Sequence, residues 1–370
     1  MEQVKNSGDS APRKDILSEL GDYFAGEVLS RLGDAVKGRE TVLLPVNPAL
    51  EPQSISGNVY TGINAVLGNF AISKNSFQTP FFGTFDAWKS RGLYVKSGER
   101  GTLMTRWSTY FRDLDTGKQS LTVKTDADYD VLTDEQKKSV ERRSYIKSFR
   151  VFNADQISYE SASHPERNES LSILYQNFLA AAGKRSSFEQ EHALRCNVID
   201  NAISSGDGPC PVFTVPFPMT PHYDVSRDAV IVSNKQNFVK DVQYYGAILD
   251  GWADKLSRSY LEDHPLDIAS LPDASKIRIS STFAGAVAMG ALGLQKSVDV
   301  NDMAEIRLWM NAIGEKPGFV LQVMRRSTAV AGKLLKDIGI EASKGINLSN
   351  ILPAELQRPA LKKSGGPKVG

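Results

Sequence analysis

Two groups of residues in this 370-residue chain have types and spacings that could do chemistry. The first is the pair of carboxylates in Asp250-Gly251-Trp252-Ala253-Asp254. Residues four apart lie one above the other on a helix, so a helix here would present both on one face. Such a pair could hold a hard divalent cation, Mg²⁺ or Mn²⁺, with His222 or His264 as further donors if the fold brings them near. That reading makes the chain a divalent-metal hydrolase. Magnesium sites also draw on additional carboxylates or substrate phosphates, so the plainer reading is a solvated or hydrogen-bonded helix face. The four histidines, His164, His192, His222 and His264, are scattered and suit surface or loop positions.

The second group lies within residues 84–112. Six basic residues occur there, Lys89, Arg91, Lys96, Arg100, Arg106 and Arg112, opposed by Asp86 and Glu99 alone. Six aromatics are interleaved with them: Phe85, Trp88, Tyr94, Trp107, Tyr110 and Phe111. Single-strand nucleic-acid binders need this mixture. Cations neutralise phosphates and release counterions, and aromatic faces stack bases at about 1–3 kcal/mol each with little regard to which base. Gly98 and Gly101 would let a backbone turn approach a phosphate. The competing reading is a strand whose alternate aromatics face a core, which would take about half of the six. Nothing resembles a helix-turn-helix or a zinc finger. Walker loops and Gly-x-Ser-x-Gly elbows are also missing.

The elements that must position these groups are legible from periodicity. Apolar residues from Ile16 to Val36 recur at helical spacing, giving an amphipathic helix with a weak point near Gly33. Its polar face mixes both signs, unlike a membrane-surface helix. Residues 41–46 read as a short strand ended by prolines, and 62–67 as the start of a helix. Residues 85–91 read as a helix stopped by Gly92. Strands follow at 93–95 and 102–111, joined by the 96–101 loop. Residues 113–144 form a charged excursion, and 145–152 return as a strand. Beyond a polar stretch at 158–170, helices are expected at 171–182 and 188–202. Residues 206–221 are irregular or a short edge strand, and 228–232 a strand. A long helix covers 239–261, a small-residue helix 280–294, and one or two more 302–338.

Composition bounds the rest. Hydrophobic content of 41% and charged content of 24% are ordinary for a globular protein. The net charge of +1 confines any nucleic-acid signal to local patches. Two cysteines, Cys196 and Cys210, are too few for a disulfide framework and point to a reducing compartment. No apolar run approaches the ~20 residues that span a bilayer, and the polar N-terminus is no secretory signal.

Five motifs between Pro45 and Gln156 stand in a recognisable order. They are Pro45-Val46-Asn47, then Tyr60-Thr61-Gly62-Ile63-Asn64, then Trp88, then the segment from Gly92 through Lys96-Ser97-Gly98-Glu99-Arg100-Gly101, and finally Val151-Phe152-Asn153-Ala154-Asp155-Gln156. The series resembles the N-terminal domain of ArdC-type antirestriction proteins and TraC-type plasmid primases. Two departures are the lack of a Trp-rich lead-in segment and Lys89-Ser90-Arg91 after Trp88, where the family more often has Thr and Gln. The resemblance implies single-stranded DNA binding with little sequence preference. Taken with the cationic and aromatic cluster of residues 84–112, the expected contacts are Tyr60, Asn64, Trp88, Lys89, Arg91, Lys96, Arg100, Arg106, Trp107 and Tyr110.

The second half resembles the zincin-like metallopeptidase domain that follows this module in the family. Tyr223 to Ile231 fits the segment before the long helix, and Tyr244-Tyr245 fits the helix itself. The family helix continues into His-Glu-x-x-His, whose histidines hold zinc while the Glu acts as general base. Here Asp250 and Asp254 stand at the ligand positions and Gly251 at the base position. The later helix that should supply an acidic third ligand reads Phe283-Ala284-Gly285-Ala286-Val287-Ala288-Met289-Gly290, without an acid.

The expectation is an α+β protein. An N-terminal mixed α/β single-stranded-DNA-binding domain (15–158) precedes a mainly helical zincin-like domain (168–350) without catalysis or cofactor. Disordered tails are expected at 1–14 and 354–370. The implied setting is a plasmid or phage, in antirestriction, DNA transfer or replication. The implied location is the cytoplasm, or a virion if phage-encoded, with no membrane partner. A structural protein delivered with the DNA, docking a protein partner through its C-terminal domain, stays open beside the metal-hydrolase reading.

Overall fold

The computed structural model describes residues 16–39, 41–45, 51–160, 168–183, 196–298 and 303–340, except the side chains of Ile16, Leu17, Trp107, Asp126, Ser144 and Tyr145. The expected tails, Val46, Asn47, His164, His192 and the first half of the 188–202 helix lie outside the described residues. Mixed α/β structure comes first and helices dominate the C-terminal part, as the periodicity predicts.

Helix α1 (Ile16–Val36) buries Leu20, Phe24, Val28 and Leu32, each one turn beyond the last, and runs unbroken through Gly33. Helix α2 (Gly62–Asn75) starts at a glycine with φ +57, where a side chain would be strained. Its residues 66–72 are all buried, so it is an interior helix. Residues 41–45 make a single antiparallel bridge, Val42 to Ser297, in place of the expected strand. Leu43 and Leu44 are buried beside it.

A four-stranded sheet follows. It contains β1 (Gln53–Ser54), β2 (Phe81–Gly83), β4 (Thr102–Asp113) and β5 (Val140–Asn153), in the order β1-β2-β5-β4. Between β2 and β4 come α3 (Phe85–Lys89) and β3 (Tyr94–Val95). Strand β3 pairs with β6 (Ile157–Ser158) in a separate two-stranded sheet. Strand β2 touches only the last residues of β5, whereas β4 pairs with β5 from Thr102–Val151 to Asp113–Val140. The outer part of β4–β5 is therefore a two-stranded ribbon. The expected excursion closes its tip with α4 (Asp126–Asp130) and α5 (Asp134–Lys137), each started by a reciprocal capping box. It folds back onto one ribbon face, where Tyr129 stacks on the buried Phe111 at 5.3 Å.

In the C-terminal part, α7 (Asn197–Ser205) precedes a three-stranded sheet of β7 (Val212–Val215), β9 (Ala229–Ser233) and β8 (His222–Asp224), in that order. All five residues of central β9 are buried. Helices α8 (Asp241–Asp263), α9 (Asp273–Ala291), α10 (Met303–Glu315) and α11 (Phe319–Asp337) complete the described residues. Helix α9 starts earlier than the small-residue run suggests.

The cores do not divide at 158–170. Helix α6 (Asn168–Gly183), expected to open the second domain, packs on the first, with Phe178 against Phe81 at 5.3 Å and Trp88 at 6.2 Å. Another core joins α1, α2 and β4 to Phe283, Trp309, Phe319 and Val323 of the last three helices. A third lies between β9, α8, α9 and α11 around Trp252. No described helix is long and apolar enough to cross a membrane.

Candidate nucleic-acid interface and the α8 carboxylates

Strand register decides which charges share a surface. Residues directly opposite in an antiparallel pair point to the same face, with Cβ atoms about 4.5–5.5 Å apart. Arg106 faces Lys147, Tyr110 faces Arg143, and Arg112 faces Glu141. All six have the same parity along β4–β5, so they form one stripe on the ribbon face opposite Phe111 and Tyr129. Arg106 and Lys147 are both exposed. Like charges directly opposite repel, and an anion laid across them relieves that repulsion. Nearer the tip, Glu141 accepts from Arg143 Nε at 2.8 Å, and Arg112 Nε donates to the Gly117 carbonyl at 3.0 Å. Glu141, and secondarily Tyr110, hold the Arg143 guanidinium above its ordinary value by hydrogen bonding. Lys147 and Arg143 were not among the expected contacts. Their signal was the alternation Arg143, Tyr145, Lys147 on the returning strand, which only the register connects to Arg106.

The 96–101 loop sits at the base of β4, about 14 Å from Arg106 at ~3.4 Å per strand residue. It is held from below by the Asn153-Ala154-Asp155-Gln156 turn. Gln156 Nε2 donates to Glu99 Oε2 at 2.9 Å and to the Arg100 carbonyl at 3.0 Å, and Lys96 Nζ donates to the Asp155 carbonyl at 2.9 Å. Gly98 takes φ +84, which a glycine adopts without strain. Glu99 thus organises the loop, while the Arg100 side chain is exposed. Two aromatics lie exposed in this region, Phe85 at 47% and Tyr94 at 56%. Lys89 is exposed on α3.

Several expected contacts are instead structural. Trp88 is 0% exposed, and its indole N–H donates to the Phe152 carbonyl at 3.0 Å, so neither ring face can meet a base. Asn64 closes the outer edge of β4. Its amide donates to the Thr105 carbonyl at 2.7 Å, and its side-chain oxygen accepts from Thr105 N–H at 2.9 Å. These bonds satisfy backbone groups that an edge strand would leave open. Tyr60 packs edge-on against Phe82 at 6.4 Å, and burial pushes its phenol up to about 12. Arg91 is half-buried and donates to the Ala87 carbonyl at 2.9 Å. Trp107 pairs with Ile146 through the backbone, and its side chain lies outside the description.

The α8 carboxylates lie in the expected helix, but their surroundings differ from a metal site. Asp250 makes an ion pair with Lys296, and Asp254 accepts from Arg258 Nε at 2.5 Å. Burial pushes the Asp254 carboxyl up, against the lowering effects of Arg258 and Arg278. A Cβ on Gly251 would come within 2.6 Å of Val230 Cγ2, so β9 leaves no room there for a general base. His264 follows Asp254 by ten residues, about 15 Å along a helix, and its ring lies against Tyr260. His222 is exposed, with Nδ1 3.1 Å from the Thr220 carbonyl. No group of three His, Cys, Asp or Glu among the described residues is placed to hold a metal. The donor set present does not fit a zincin-type ion.

Residues 34–152 match the family described as the N-terminal domain of anti-restriction factor ArdC. Residues 34–152 thus form a domain of that family, bearing out the motif resemblance. The chain's fold is similar to the antirestriction ArdC protein of the R388 plasmid in the metal-free crystal structure. There the TM-score is 0.59 at 15% identity, over 88% of this chain and 100% of that one. The Mn(II)-bound structure of the same R388 protein gives 0.58 at 15% identity, over 88% and 98%. No curated protein matches the sequence.

Proposed function

We propose that this protein binds single-stranded DNA through its ArdC-type domain, in an antirestriction-like role or as an accessory to DNA transfer or replication in the cytoplasm, and that its C-terminal part carries no peptidase activity. The observation that carries the DNA reading is the placement of Arg106 opposite Lys147. The exposed loop with Lys96 and Arg100 extends the cationic track, and Phe85 and Tyr94 offer aromatic surface for stacking. For the C-terminal part, the support is the replacement of a base by Gly251 against Val230 and the pairing of both carboxylates with protein cations.

The test is fluorescence-anisotropy titration of a labelled single-stranded oligonucleotide and its duplex at two salt concentrations. Arg106→Glu with Lys147→Glu should weaken single-strand binding at least about tenfold at low salt. The same change should flatten the salt slope by about 0.7 per lost phosphate contact. Lys96→Glu with Arg100→Glu should act in the same direction. Unchanged affinity in both double variants, or equal preference for duplex, rejects the reading.

A second reading is a protein-docking role for the C-terminal part. It is favoured by exposed Phe213 and Phe217 (52% and 59%) on and beyond edge strand β7. Stoichiometric capture of one protein by the nuclease-treated chain, lost in Phe213→Ser with Phe217→Ser, would support it.

A further inference from the structure

Helix α8 presents Asp250 to a lysine. Lys296 lies just beyond α9 with its side chain only 11% exposed, and its ammonium makes an ion pair with the Asp250 carboxylate. The same segment is stitched to the N-terminal part. Leu43 N–H donates to the Lys296 carbonyl at 2.9 Å, Val298 N–H donates to the Thr41 carbonyl at 2.8 Å, and Val42 bridges Ser297. On the other side, Gly285 of α9 leaves room for the carboxylate, since a Cβ there would collide with Asp250. One turn along α8, Asp254 pairs with Arg258 and feels the charge of Arg278. Around these two carboxylates stand three cations, Lys296, Arg258 and Arg278, so a divalent ion would have to compete with cations already beside both.

We infer that Lys296 is the built-in cation of the α8 site. Its ammonium occupies the place beside Asp250 that a divalent ion would need, and it clamps residues 41–44 to helices α8 and α9. A tethered ammonium is present at high effective concentration and needs no metal supply. It also makes Asp250 part of a joint between the N-terminal and C-terminal parts of the chain. The inference rests on the reading that α8 holds no metal. Metal titration tests that reading, and the lysine variants test the clamp.

The experiment is thermal unfolding of the full chain, of Lys296→Met, Lys296→Arg and Lys296→Met with Asp250→Asn, each with and without excess MnCl2 or ZnCl2. Hydrogen exchange at the Leu43 and Val298 amides is followed alongside. Lys296→Met should lower Tm by about 5 °C or more and speed exchange at both amides. Lys296→Arg should retain most of the Tm, and the double variant should recover part of the loss. Wild type should melt at the same temperature with either metal. A rise in Tm with Mn²⁺ confined to Lys296→Met would mark the lysine as the occupant. If Lys296→Met does not fold, Asp250→Asn alone should still speed exchange at Leu43. Wild-type melting and exchange in Lys296→Met, or in Asp250→Asn where that variant stands in, overturns the clamp. A metal-raised Tm in wild type overturns the metal-free reading and the assignment of Lys296 with it.

Discussion

The β4–β5 ribbon and helix α8 both carry charged side chains on one face, but in opposite circumstances. On the ribbon, Arg106 and Lys147 are of like sign, exposed and directly opposed. On α8, each carboxylate has a cation from its own chain, and the glycine between them packs against a core valine. Like charges grouped on an exposed face raise the local potential for an anion, whereas ion pairs in a packed setting work as joints. The comparison teaches that a motif's chemistry depends on what the fold places across from it.

The largest effect that could break the comparison concerns Trp88. If the N-terminal domain grips bases through this ring, Trp88→Ala should abolish binding without much loss of stability. Its complete burial predicts the reverse. Phe/Trp→Ala core changes cost about 3–5 kcal/mol, so urea unfolding should show a loss of that size. The fraction still folded should bind the oligonucleotide as wild type does.

Next comes Gly251→Glu, the change that would place a general base on α8. Its side chain would start within 2.6 Å of Val230 Cγ2. Overpacking of this kind costs about 1–3 kcal/mol, so the variant should melt lower. The triple variant Asp250→His, Gly251→Glu, Asp254→His should show no peptidase activity with zinc. A stable, active triple variant would mean that α8 is an open site merely lacking its ligands.

On the ribbon side, Phe85→Ala and Tyr94→Ala sharpen the proposal. Tyr94 is more than half exposed, so its change should leave Tm within a degree or so, while Phe85, at 47% and edge-on to Phe152, should cost slightly more. If they stack bases, each should weaken single-strand binding by about 1–3 kcal/mol, readable by anisotropy. Loss from one variant alone would locate the track on that side of the 96–101 loop.

Much of this was legible in the sequence, for identifiable reasons. Helix α1 came out with its observed bounds because its apolar spacing is regular. Helix α8 and strand β9 came out within a few residues for the same reason. The five ordered motifs found the ArdC-type domain, yet several motif residues proved to be scaffolding. Asn64 closes a strand edge, Gln156 holds a loop and Trp88 fills a core. Motif position carries no information about whether a side chain faces in or out. Lys147 was missed because its relation to Arg106 depends on hairpin register across a long excursion. Lys296 was missed because a single lysine after a helix has no periodicity to mark it. The packing of α6 on the first core was hidden by polar sequence at 158–170, which looks like a linker but need not separate cores.

The smallest predicted effect tests the dryness of α8 directly. Burial raises the Asp254 carboxyl above its ordinary value in the fold, more than Arg258 lowers it. A carboxyl raised on folding contributes most stability when protonated, below the unfolded value, and loses that contribution as pH rises through the folded value. Asp113, Asp128, Asp224, Asp228 and Asp267 behave oppositely. The hydrogen bonds they accept hold them low, so their contribution is present at neutral pH and is lost in acid. Those five are common to both proteins, so their contributions cancel when Asp254→Asn is compared with wild type at each pH. The difference in Tm, variant minus wild type, should therefore be more favourable to the variant at pH 7 than at pH 3.5. A metal ion or an open, solvated face at Asp254 would hold the carboxyl at or below its ordinary value. The difference would then be flat or tilt the other way, and the contrast between a packed α8 and an open ribbon would fail at its packed end.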